Sequence, residues 1–189
     1  MDTIMNEAST TKKLTATDLA YIALFTALIT ICSWISVPMT IPFTMQTFAI
    51  FMAVGLLGTK RGTLSLIVYI LLGMIGVPVF AGFNSGIGVL MGNTGGYIIG
   101  FIFSALITGT IIDKFGKKAW VMALAMVGGL IVCYVFGTAW FMYFYAKTSG
   151  AVGVITALGW CVFPYVIPDL VKIALALIIV KRVGPYVKA

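Results

Sequence analysis

Six apolar segments, at residues 19–36, 47–58, 63–80, 97–112, 119–145 and 155–180, alternate with short connections. Flanking residues extend several of them to the ~20 needed to cross a bilayer. The second is short and predicts a thin or tilted helix starting near Phe43. The pattern predicts an all-α integral membrane protein, a bundle of six transmembrane helices; five spans with a re-entrant second segment is the rival. Residues 1–18 form a polar tail ending in a helix cap at Thr17 or Asp18, residues 19–182 the transmembrane domain, and residues 183–189 a second tail.

Composition excludes a water-facing surface. The chain is 61% hydrophobic and 9% charged, where a soluble domain carries about a quarter charged residues. A net charge of +7 would suggest nucleic acid in a soluble protein, but its distribution points to a membrane. Lys12, Lys13, Lys60, Arg61, Lys114, Lys117, Lys118, Lys181, Arg182 and Lys188 fall on connections of one side if there are six spans, and Lys147 alone on the other. Basic connections stay in the cytoplasm. Both termini are therefore expected inside a multi-pass protein of the cell membrane, an arrangement that five spans would break. The N-terminal stretch lacks the apolar core of a secretory signal.

Two connections on the opposite side are unusual. Residues 36–46 hold two prolines, and residues 81–96 are rich in glycine with no charge. Long irregular loops of this kind serve as lids or binding loops.

Asp169 and Lys172 are the sharpest chemical signal, i and i+3 inside the last apolar segment, hence on one helix face. Each charge costs at least ~2.5 kcal/mol near a bilayer centre, which favours an interior, paired or ligand-facing position. Pro164 and Pro168 precede them, and a kink at Pro168 would free backbone carbonyls. Thr44, Gln46, Asn93, Thr94 and Tyr97 add neutral polar groups at the other ends of the spans. Thr44, Gln46 and Asn93 fit helix caps as well as ligand contacts. Trp34, Phe83, Tyr97 and Trp160 fit interface anchors or packing. Ala20, Ala23 and Ala27 make a small-residue stripe suited to close helix approach. Cys32, Cys133 and Cys161 lie far apart in apolar runs and read as core fillers. With no histidine and no clustered cysteines or carboxylates, the sequence offers no metal or cofactor site. It also lacks a phosphate-binding loop, a nucleophile elbow and a zinc-protease helix, so an enzyme is not expected and any coupling to ATP must come from partners.

Five stretches carry a resemblance: VPMTIPFTMQ at 37–46, LGTKRGTLSL at 57–66, GMIGVPVFAG at 73–82, GNTGGYIIGF at 92–101 and PDLVK at 168–172. In order and spacing they resemble the BioY family, the biotin-specific S components of energy-coupling factor transporters. TKRG departs slightly from that family's proline-containing turn. The resemblance implies a six-helix protein that binds biotin near the external face, with Asn93, Asp169 and Lys172 on the vitamin and Tyr97, Thr44 and Gln46 as companions. It implies docking through Ala23 and Ala27 to a transmembrane coupling subunit, which binds two cytoplasmic ATPases. It implies no cofactor; biotin is the cargo. The residues alone leave open a stand-alone ion-coupled carrier with Asp169 as proton site, or an S component for another vitamin.

Overall fold

The computed structural model describes residues 14–187. Lys12, Lys13 and Lys188, three of the cations used to orient the chain, lie outside the described residues. The described residues form seven α-helices: α1 (Ala16–Trp34), α2 (Gln46–Met74), α3 (Ile87–Leu90), α4 (Gly95–Phe115), α5 (Ala119–Ser149), α6 (Val154–Cys161) and α7 (Phe163–Val183). Two short strands, β1 (Ser36–Val37) and β2 (Phe43–Thr44), pair antiparallel between α1 and α2.

Helix α1 starts one turn earlier than the hydropathy suggested. Thr15, rather than Thr17 or Asp18, is its cap: Asp18 N–H donates to Thr15 Oγ1 at 3.2 Å, and the Asp18 carboxylate accepts from Thr15 N–H at 2.9 Å. Two otherwise orphaned donors are satisfied together. Asp18 also pairs with Arg61 at 2.8 Å, fastening this end of α1 to α2.

Among the described residues, five helices are long and apolar enough to span a membrane: α1, α2, α4, α5 and α7 with its following turn. The second and third apolar segments are the two arms of α2, which breaks at Gly58 (φ 79°, ψ 177°). That conformation is essentially confined to glycine. Past the break the arms close on one another, so that a Cβ on Gly62 would lie 2.8 Å from Val54 Cα. The last apolar segment, expected as one helix from 155 to 180, is divided at Val162 (φ −128°, ψ −58°) into α6 and α7. Pro164 explains the division, because it has no N–H to continue a helix from α6 and restricts the residue before it. Helix α7 then runs on through Pro168.

Helices α4 and α5 pack closely where side chains are small. Gly129 sits against Ser104 and Thr108, and Gly137 against the Tyr97 ring, the close approach that drives helix association in lipid. Two apolar clusters fill the interior. One, with Phe51, Met122, Met126 and Val180, occupies the end where α4 turns into α5. The other, with Tyr69, Phe80, Phe101 and Phe141, occupies the end where the two irregular connections meet.

Candidate functional site

The chain leaving α2, residues 78–83, is held against the end of α1. Trp34 Nε1 donates to the Pro78 carbonyl at 2.9 Å, Ser33 Oγ donates to the Val79 carbonyl, and Trp34 stacks on Phe83 with centroids 5.0 Å apart. Phe83 is the one non-glycine with positive φ (60°) among the described residues. The connection 36–46 is held from the opposite side, where Tyr165 Oη of α7 donates to the Ile41 carbonyl. Between these two connections and the halves of α4, α5 and α7 nearest them lies a cavity of about 330 Å³. That is within the roughly 300–1,000 Å³ of small-molecule sites.

Asp169 and Lys172 stand in its wall, each 4% exposed. Lys172 Nζ donates to Asp169 Oδ1 at 2.7 Å and to the Thr44 carbonyl at 2.6 Å, and lies 3.8 Å from the centroid of the Phe43 ring. The carboxylate is further held by Thr47, whose hydroxyl donates to Oδ1 at 3.1 Å, and by Tyr134, whose hydroxyl donates to Oδ2 at 2.6 Å. Two ions survive out of water because each is paired and hydrogen-bonded. Neither faces lipid, and their bonding to each other leaves the hollow beside them open.

Six of the polar residues singled out in the sequence share this wall: Thr44, Gln46, Thr94, Tyr97, Asp169 and Lys172. Thr44 and Gln46 act in the backbone turn as well as on the cavity. Thr44 Oγ1 accepts from Gln46 N–H at 3.3 Å and donates to Gln46 Oε1 at 3.1 Å, while Gln46 Nε2 donates to Tyr69 Oη at 2.6 Å. Tyr97 is buried, its hydroxyl 2.8 Å from Thr138 Oγ1, so it is no interface anchor. Asn93 is half-buried and lies between two lining residues, Gly92 and Thr94, without itself lining the cavity. Cys133 and Cys161, read as fillers, are buried but also line it. Ala23 and Ala27 are elsewhere, exposed on α1.

Phe43, Thr47, Tyr134 and the exposed rim residue Asn84 also line the cavity, and sequence reasoning passed over them. Tyr134 carried a usable signal, a hydroxyl in the middle of a long apolar run; Phe43 carried none. Among the described residues, no three of His, Cys, Asp and Glu gather as metal ligands. The arrangement offers a polar, electrically balanced deep end and apolar walls from Ile98, Phe101 and Leu130. It can hold a small molecule that is apolar over most of its surface and polar at one end.

Comparison with known proteins gives a consistent result. The model of the BioY family matches residues 5–189. "Biotin transporter BioY" of Thermotoga maritima is 40% identical over 160 residues, covering 84% of this chain and 90% of the relative. "Probable biotin transporter BioY" of Pyrococcus horikoshii is 39% identical over 168 residues, 88% of this chain and 96% of the relative. A crystal structure of the S-component for biotin from an ECF-type ABC transporter superposes with a TM-score of 0.79 at 28% identity, covering 88% of this chain and 89% of that one.

Proposed function

This chain belongs to the BioY family, and on that premise we propose that it is the biotin-binding S component of an energy-coupling factor importer. The observation that carries the reading is the cavity with Asp169 and Lys172 in its wall. Biotin has a fused ureido ring with two N–H donors and a carbonyl acceptor, a thioether ring and an aliphatic tail. Asp169 accepts from the ureido nitrogens and Lys172 donates to the ureido oxygen. Thr44, Gln46 and Tyr97 complete the polar surroundings, and Asn93 contributes from the Gly92–Thr94 edge. Apolar side chains suit the thioether ring. The role is binding and carriage, without bond-making chemistry.

The break in α2 at Gly58 supports six passes, its two arms counted separately. With six passes both termini, the α2 break and the α4–α5 turn share one side. Their lysines and arginines favour the cytoplasmic face of the cell membrane for that side, with residues 1–18 and 183–189 as tails. The exposure of Ala23 and Ala27 on α1 supports docking there of a transmembrane coupling subunit, which brings two cytoplasmic ATPases. The packed cluster of Phe51, Met122 and Met126 leaves biotin no route through the chain, so delivery requires the chain or its helices to move.

The test is titration of the purified protein with biotin. Asp169→Asn and Lys172→Ala are each expected to weaken binding at least about tenfold. Because one charge left alone in the interior destabilises the fold, the double variant Asp169→Asn/Lys172→Met accompanies them; it removes both charges and is expected to stay folded and bind poorly. A folded double variant with unchanged affinity would refute the assignment.

A further inference from the structure

Among the described residues lining the cavity, Asp169 and Lys172 are the only charged ones, and they are bound to each other at 2.7 Å. The site is therefore neutral overall. Lys147, the nearest cation by sequence position at this end of the bundle, is exposed and lies over Tyr143 at 4.3 Å, outside the lining. A ligand carboxylate taken into the deep end would add a negative charge beside Asp169 with no cation left to balance it. Such a group loses its hydration without a compensating partner.

The polar groups run the other way. At the deep end, Lys172 has one N–H direction beyond its bonds to Asp169 and Thr44, now spent on the face of Phe43. A cation–ring contact is readily exchanged for a hydrogen bond to a carbonyl. A carboxylate oxygen has more than one lone pair, so Asp169 Oδ2 retains accepting capacity beside its bond from Tyr134. These are the complements of a neutral cyclic urea. The rim offers Asn84, exposed and uncharged, with Ala81 and Gly92.

Resting on the biotin reading, we infer that the site recognises the neutral ureido head at its deep end and leaves the carboxylate tail at the rim without a charged partner. The ligand class is then biotin and its carboxyl-modified derivatives, amides and esters included. Uncharged tails are accepted because nothing in the lining reads the charge.

The experiment uses the whole chain in lipid nanodiscs, titrated with biotin, biotin methyl ester, biotinamide and 2-iminobiotin. The ester and the amide are expected within about tenfold of biotin. 2-Iminobiotin, whose head is a cation near neutral pH, is expected to lose more than about a hundredfold, because it sets a second positive charge against Lys172. Loss of more than tenfold with both neutral tails would overturn the inference, and so would full-strength binding of 2-iminobiotin; in either case binding of biotin itself would leave the proposed function standing. Failure of biotin to bind at all would overturn both.

Discussion

Three donors converge on the Asp169 carboxylate, from Lys172, Thr47 and Tyr134, and each offsets part of the cost of holding a charge away from water. Tyr134→Phe removes the only one of these that reaches Oδ2 and keeps the ring. A hydrogen bond to a charged group contributes about 1.5–3 kcal/mol, so biotin affinity is expected to fall about tenfold or more, read by calorimetric titration. An unchanged affinity would show that the hydroxyl only trims the apo site. Asp169 and Lys172 were legible because a charge inside an apolar segment requires a reason. Thr47 was not, and the hydroxyl of Tyr134, although conspicuous in an apolar run, did not disclose its partner, since the links to Asp169 span 122 and 35 positions and only folding brings them together.

Among the elements, the breaks matter more than the helices. Gly58 holds the turn of α2 in a conformation other residues avoid, and Gly58→Ala is expected to destabilise the protein by about 1–3 kcal/mol, seen as a lower melting temperature in detergent. The pair Lys60 and Arg61 marked a connection there, yet hydropathy carries no sign that the helical path is nearly continuous. At the other break, Pro164 was visible; it stands in the first turn of α7, where a proline starts a helix rather than bending it, whereas Pro168 lies inside α7. The α1 surface yields a third prediction. Ala23→Trp is expected to leave biotin binding intact, since Ala23 is exposed away from the cavity, and to abolish uptake by the assembled transporter. Normal uptake in a transport assay would remove Ala23 from the docking face.

At the scale of the molecule, the chain has two unlike ends. One is closed by apolar packing around Phe51, Met122 and Met126 and carries Lys114, Lys117, Lys118, Lys181 and Arg182; the other holds the cavity beneath two uncharged connections. Hydropathy and charge made this polarity readable, because lipid and the cytoplasmic leaflet impose the same constraints on any membrane chain. The cavity itself was unreadable from sequence, since it is a property of how α4, α5 and α7 meet the connections. Single cysteines placed at Leu14 and at Lys117 in a cysteine-free background are expected to react with an impermeant thiol reagent from the same side of the membrane. Labelling from opposite sides would contradict six passes.

The most direct test is an experimental structure of the protein with biotin bound. The ureido ring should lie within hydrogen-bond reach of both Asp169 and Lys172, about 2.7–3.2 Å between heavy atoms. Biotin seated elsewhere, with the Asp169–Lys172 pair touching only protein, would contradict the account.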